Sequence, residues 1–356
     1  MNSIRSVMYM NKRFFTSALL IALATSSLFA QLTATEKKEV VDRLSKEMIN
    51  RYVVKEKAQE VAKMIQTNFS NGLYDSLTTG KDFALKLSQD ANAICKDAHF
   101  RIRFSESVLP VRKEASEPSK EELEADAKFV RLINAGFEEV KRLGGNIGYI
   151  RFFGFQDPKD AERAIQASMQ FVQNTDALIF DIRDNGGGDP ETVRLLCNYL
   201  FDKPTHINSL LMRRGDKTQK VDFKTGTPKG KRYSNPIYII VSKRTGSGAE
   251  EFAYDLQNQK RATILGENTW GGANPGGTVR LTDHFSAFIP VGMAQNPITM
   301  TNWEGTGVTP DVKCDPKESL KLAQIMAIKK LLETAQGDDI DRLKSVLKEL
   351  EDGPRR

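Results

Sequence analysis

Ser247 lies in Ser242-Lys243-Arg244-Thr245-Gly246-Ser247-Gly248-Ala249-Glu250-Glu251-Phe252-Ala253-Tyr254, directly after the apolar run Pro236 to Val241 and at the start of a helix-like segment. Its hydroxyl therefore sits at a strand-to-helix turn. There a side-chain oxygen is exposed while the N–H groups of the first helical turn, which have no intrahelical partner, point at whatever that oxygen attacks. The same serine also reads as an ordinary N-cap beside a tolerated glycine. A second segment, Asp181-Ile182-Arg183-Asp184-Asn185-Gly186-Gly187-Gly188-Asp189-Pro190, follows the apolar run Ala177 to Phe180 and precedes a helix. Three successive glycines leave backbone N–H groups uncovered, which suits an oxyanion or a phosphate. No Gly-Lys-Ser/Thr follows and the G-x-G-x-x-G spacing is missing, so a nucleotide loop is disfavoured, and a plain strand-helix turn stays open.

A serine hydroxyl needs a base within hydrogen-bond reach to act as a nucleophile. The chain has only three histidines. His99 falls at a helix-to-strand junction in Cys95-Lys96-Asp97-Ala98-His99-Phe100, His206 in a loop after Pro204-Thr205, and His284 in a turn between two strands. A histidine taken at random is a surface or structural residue, and His284 keeps that reading. The stretch Asn302-Trp303-Glu304-Gly305-Thr306-Gly307-Val308-Thr309-Pro310-Asp311-Val312 sets a carboxylate among glycines, and Glu304 can orient an imidazole as the acid of a triad does. Cys95, Cys197 and Cys314 are odd in number, show no metal-ligand spacing and sit at no glycine-rich turn, so they read as small buried residues and not as nucleophiles. Nothing in the sequence calls for a metal or another cofactor.

The elements that must carry these residues fall into two kinds. Thr35 to Val54, Glu56 to Thr67 and Lys81 to Ile94 have apolar positions at helical spacing, such as Val40, Val41, Leu44 and Met48, and the short strand Phe100 to Phe104 closes this unit. Pro110 to Ala125, rich in Pro, Ser, Glu and Lys, reads as a linker running into a charged helix start. From Gly145 onward strands and helices alternate: strand Ile147 to Phe153, helix Pro158 to Gln173, strand Ala177 to Asp181, helix Pro190 to Phe201, strand Pro236 to Val241, helix Ser247 to Gln259, strand Ala262 to Leu265. Such alternation implies a sheet with helices packed on it, an α/β fold. Strands Gly277 to Leu281 and Phe285 to Pro290 and helices Lys317 to Glu333 and Asp339 to Leu350 complete the chain.

The division expected is a signal peptide over 1–30, a helical N-terminal subdomain over 31–105, a linker over 106–128 and an α/β core over 129–356. Arg5, Lys12 and Arg13 precede the apolar stretch Phe14 to Phe29, which is too short and too interrupted for a membrane span, so export to a periplasmic or extracellular space is the reading, with no membrane span in the mature chain. A chain of 356 residues has room for about two domains. Its formal charge of +6 is spread as Lys and Arg interleaved with Asp and Glu, which argues against a nucleic-acid partner.

Taken together, Asp97-Ala98-His99, Ile179 to Gly188, Thr245 to Phe252, Gly266-Glu267-Asn268-Thr269-Trp270-Gly271-Gly272 and Gly305 to Asp311 resemble the C-terminal processing (tail-specific) peptidase family. The likeness is to the branch containing interphotoreceptor retinoid-binding protein and the tricorn protease. The resemblance implies a ClpP/crotonase-like sheet with a helical N-terminal subdomain and a serine peptidase acting on peptides or unfolded protein. It implies Ser247 as nucleophile, the N–H groups of Gly248 and Gly187 as oxyanion hole, His99 as general base and Glu304 as the triad carboxylate. Members with a Ser/Lys dyad carry a lysine where this chain has Trp270-Gly271-Gly272, so that mechanism is not expected. No PDZ module is found between the helical unit and the sheet, and the serine that precedes the histidine in tricorn is Ala98 here. Two other functions fit the same fold: a non-catalytic binding protein for apolar ligands or peptides, and an acyl-thioester enzyme, against which export from the cytosol argues.

Overall fold

The computed structural model describes residues 32–111 and 119–352. The segment read as a signal peptide lies outside them. Three helices come first, α1 (Ala34–Arg51), α2 (Lys55–Ser70) and α3 (Gly80–Cys95), and strand β1 (Arg101–Phe104) follows. A capping box opens α1: Glu36 N–H donates to Thr33 Oγ1 at 3.2 Å and Thr33 N–H to Glu36 Oε2 at 2.8 Å, which satisfies two end groups of the helix and its cap. The segment expected to be a linker over 106–128 is a linker only in part: helix α4 (Lys120–Leu132), capped by Ser119, already begins within it.

The later chain supplies β2 (Phe137–Leu143), β3 (Ile147–Phe152), α5 (Pro158–Val172), β4 (Ala177–Asp181), α6 (Pro190–Cys197), β5 (His206–Arg214), β6 (Lys217–Lys224), β7 (Ile237–Val241), α7 (Gly248–Asn258) and β8 (Ala262–Gly266). It ends with β9 (Gly276–Arg280), β10 (Phe285–Pro290), β11 (Gly292–Gln295), β12 (Val312–Lys313), α8 (Ser319–Leu332) and α9 (Asp338–Asp352). The central sheet has six strands in the order β12-β8-β7-β4-β3-β2, parallel except for the β2–β3 pair. Its middle strands β4 and β7 are buried along their whole length, which is why their sequences are near-continuous apolar runs. Alternate residues serve opposite faces. Leu178 and Phe180 join α5, α6 and α7 in one core, while Ala177 and Ile179 meet Ala323, Ala327 and Ile328 of α8 and Leu343 of α9 in another.

Two three-stranded sheets flank this core, in the orders β1-β10-β9 and β11-β5-β6. The core of the helical unit is not contiguous in sequence. Val40, Leu44, Met48, Phe83 and Leu87 pack with Leu281, Phe285, Ala287 and Ile289 from β10 and the turn before it. His206, read as a loop residue, instead opens β5; its Nε2 lies 3.0 Å from Asn208 O and 2.9 Å from Ser209 Oγ. His284 sits in the β9–β10 turn, its Nδ1 3.0 Å from Ser105 O. Cys95 and Cys197 are buried and Cys314 is half-buried, all three free.

Candidate active site

In parallel sheets the loops that leave the carboxyl ends of the strands gather at one edge, the usual place for a ligand. Here the loops after β4, β7 and β8 meet there. Ser247, between β7 and α7, has φ 53° and ψ −123°, a conformation that costs a non-glycine residue about 1–3 kcal/mol and that the surroundings must hold. Glu250, three residues on, does much of the holding. Its carboxylate, fully buried, accepts the N–H of Ser247 at 2.8 Å, of Gly271 at 2.6 Å and of Gly272 at 2.9 Å, and the hydroxyl of Thr269 at 2.5 Å. Burial pushes its pKa up, and the four donors oppose that push. The nucleophile turn and the β8–β9 loop are thereby tied to one carboxylate.

The glycine strip after β4 presses on the same turn. A Cβ at Gly187, where φ is +98°, would lie 2.7 Å from Ser247 Cβ and 2.6 Å from both Gly246 O and Gly248 N, so no other residue fits. The Gly187 N–H donates to Asn185 Oδ1 at 2.9 Å. The Gly248 N–H stands at the first position of α7, where no intrahelical acceptor exists, and no described backbone group takes it.

His99 is brought to this turn by Trp270. The indole ring meets the imidazole edge-on with centroids 4.8 Å apart, and a Cβ on Gly246 would lie 3.1 Å from the same indole. A Cβ on Gly272 would overlap both rings, 2.4 Å from the indole and 2.7 Å from His99 Cε1. Phe288 stacks on the other side of the imidazole at 5.8 Å. His99 is buried, its backbone N–H donates to Asp97 Oδ1 at 3.0 Å, and its ring Nδ1 has no hydrogen-bond partner among the described residues. Burial lowers its pKa; the Asp97 charge opposes that shift. Glu304 reaches the same spot, accepting the N–H of Ala98 at 2.9 Å and of Ala273 at 2.6 Å. One ligand atom each of Asp97, His99 and Glu304 lies within 4.8 Å of the others. Burial raises the Glu304 pKa, and the Asp97 charge adds to the rise.

The structure groups Ser247, Gly187 and Gly248 at the β7–α7 turn and the strip after β4, and groups His99 with Glu304 of the 302–308 loop. No hydrogen bond joins Ser247 Oγ to His99, or His99 to Glu304, among the described residues; the Trp270 ring is what connects the two halves. Sequence reasoning assigned no role to Asp97, Glu250 or Trp270. The Ser-x-x-Glu spacing of Ser247 and Glu250 was the available signal for one of them. Asp97 accepts from Tyr52 Oη at 3.1 Å and from Asn274 Nδ2 at 2.9 Å, contacts across 45 and 177 residues that no local pattern announces.

The sequence model described as Peptidase family S41 matches residues 146–314, and that of its N-terminal domain in eukaryotic IRBP matches residues 22–138. The chain belongs to peptidase family S41. Among curated S41-type relatives, it is 28% identical over 177 residues to the chloroplastic C-terminal processing peptidase of Tetradesmus obliquus, covering 48% of this chain and 36% of that protein. It is 24% identical over 223 residues to the carboxy-terminal processing protease CtpA of Bacillus subtilis, covering 60% and 44%. The aligned region therefore spans less than half the length of these relatives. Among solved structures, the photosystem II D1 C-terminal processing protease superposes with a TM-score of 0.50 at 15% identity, over 86% of this chain and 99% of that one. Mature CPAF superposes with a TM-score of 0.59 at 11% identity, over 83% and 98%. The S41 fold, a mixed α/β core with flanking helices, is what these superpositions share with the chain.

Proposed function

We propose that the chain is an exported serine peptidase that cleaves peptides or unfolded protein through an acyl-enzyme on Ser247. The observation that carries the reading is the strained Ser247 turn, held by Glu250 and pressed by Gly187, in a chain of family S41. An outlier of this kind at a strand-to-helix turn exposes the nucleophile as the elbow of α/β-hydrolases does.

In the proposed mechanism neutral His99 takes the proton of Ser247 Oγ as the oxygen attacks the scissile carbonyl, then passes it to the leaving amine. Glu304 stabilises the imidazolium and orients the ring. The oxyanion is received by the Gly248 N–H and the Gly187 strip, where Gly187 exchanges its bond to Asn185 for one to the substrate oxygen. For this the indole of Trp270, 43% exposed, must move aside or turn so that imidazole and hydroxyl meet over the substrate. The absence of a lysine in Trp270-Gly271-Gly272 supports histidine as the base.

Labelling of the purified protein by a fluorophosphonate probe tests the proposal. The adduct is expected on Ser247. Ser247→Ala should abolish labelling and lower turnover by about a million-fold while leaving the circular dichroism spectrum intact. Labelling that persists in the variant refutes the assignment, and a folded chain that neither labels nor cleaves favours the alternative of a binding protein on the same fold.

A further inference from the structure

A buried polar cluster lies against α7, on the helix that begins at Ser247 but outside the site described above. Glu251 and Asp255, one turn apart on α7, face Asn208 of β5 and Asn296, which follows β11. Asn208, Asp255 and Asn296 are wholly buried and Glu251 is 5% exposed. The polar atoms are poorly satisfied: Asp255 Oδ1 accepts from Asn296 Nδ2 at 3.4 Å, while Asp255 Oδ2, Glu251 Oε1 and both amide atoms of Asn208 have no hydrogen-bond partner among the described residues. Asn208 lies beside Glu251 and partly opposes the upward push on its pKa. No Lys, Arg or His pairs with either carboxylate among the described residues. The other titratable neighbours are Asp189, whose charge adds to the strain on Glu251, and the buried thiol of Cys197, held protonated by burial and by these same carboxylates.

Two carboxyl groups removed from water without a cationic partner must be neutralised, by protons or by a metal ion. Protonated acids would be expected to hydrogen-bond the adjacent carboxamide, whereas three buried oxygens, Glu251 Oε1, Asp255 Oδ2 and Asn208 Oδ1, are left without a hydrogen-bond donor among the described residues and are of the kind that ligates a hard cation. We propose that Glu251, Asp255 and Asn208 bind a hard divalent cation of the Ca²⁺/Mg²⁺ class that clamps α7 to β5. The donors are carboxylate and carboxamide oxygens, the ligands of hard cations, and Cys197 as a neutral thiol does not compete for a softer one. Oxygens of unequal kind from a helix and a strand suit the flexible shell of Ca²⁺ better than the strict octahedron of Mg²⁺. The ligand pattern escaped the sequence because Asn208 comes from a strand 43 residues before Glu251 that was not recognised as one.

The test does not depend on peptidase activity. The full chain, stripped with a chelator and desalted, is titrated with CaCl₂ by calorimetry and melted with and without it. One Ca²⁺ should bind, and Tm should rise by roughly 5 °C at about a hundredfold excess over Kd. Asp255→Asn and, separately, Glu251→Gln should abolish both effects; the second variant serves if the first does not fold. MgCl₂ should give a smaller rise. The proposal is overturned if the wild-type chain binds neither ion, if binding survives unchanged in both variants, or if Tm responds only to pH, falling as pH rises through about 7, where Glu251 would lose its proton.

Discussion

His99 must be neutral to accept a proton from Ser247, and opposed influences set the pH at which it is. Burial disfavours the imidazolium and the Arg101 charge adds to that; the neighbouring Asp97 charge favours it, and the lowering influences win, so its pKa falls below the ordinary imidazole value of about 6.5. Peptidase kcat/KM should therefore rise with pH to a midpoint below 6.5 and stay flat through neutrality. Asp97→Asn removes the opposing charge and should shift that midpoint lower still. A wild-type midpoint clearly above 6.5 in the pH-rate profile would contradict the assignment of His99 as base. The same residues show how far side-chain chemistry could be read without coordinates. Ser247, Gly187 and Gly248 announce themselves because a glycine-flanked hydroxyl after an apolar strand has few uses. Asp97, whose partners Tyr52 and Asn274 are remote in sequence, could not be read that way, and burial, which decides the direction of the His99 shift, is invisible in a single sequence.

At the scale of the elements, the strip after β4 and the turn after β7 act as one piece, because the two backbones approach too closely for any side chain between them. Gly187→Ala adds a methyl group 2.7 Å from Ser247 Cβ at a backbone angle that L-residues rarely adopt. It should cost about 1–3 kcal/mol in a urea melt and, by moving Ser247, reduce probe labelling at least tenfold. Wild-type labelling in this variant would mean that the strip does not position the nucleophile. Strands β4, β7 and β8 were legible since burial on both faces requires unbroken apolar runs. The β5–β6 hairpin and β2 were not. β6 reads Lys-Thr-Gln-Lys-Val-Asp-Phe-Lys and is exposed except at Phe223, and β2 is a charged edge strand. Polar edges are how sheets avoid pairing with other chains, and the same polarity hides them from pattern reading. The helix α4 was partly lost for a related reason: none of its residues is buried, so its sequence resembles a solvated linker.

For the molecule as a whole, the core of the helical unit is completed by residues from β10 and the turn before it. Phe285 of β10 sits among Phe83 and Phe104, with ring centroids 5.9 and 5.1 Å away, so it joins helices from the start of the chain to a strand from its far end. Phe285→Ala should lower stability by about 3–5 kcal/mol. Hydrogen exchange should show α1 to α3 losing protection more than the central sheet. Uniform loss across both would argue that the two cores open together. The expected boundary at residue 105 falls just after the strand that closes the helical unit, but that strand, β1, pairs with β10 from the far end of the chain, a contact that no local signal predicts.

That long-range closure also sets a timetable. The bond from Ala98 to Glu304 spans 206 residues of chain, and Trp270, which links the imidazole to the serine turn, lies late as well. At a synthesis rate of about 5–20 residues per second, roughly 10–40 seconds pass between the appearance of His99 and that of Glu304. Throughout that interval a ribosome-bound or partly translocated chain carries the histidine without its carboxylate, and for most of it without its serine. On the proposed mechanism a chain assembled in this order is inert while it is being made, and the cell that makes it is spared its activity until the 302–308 loop has emerged.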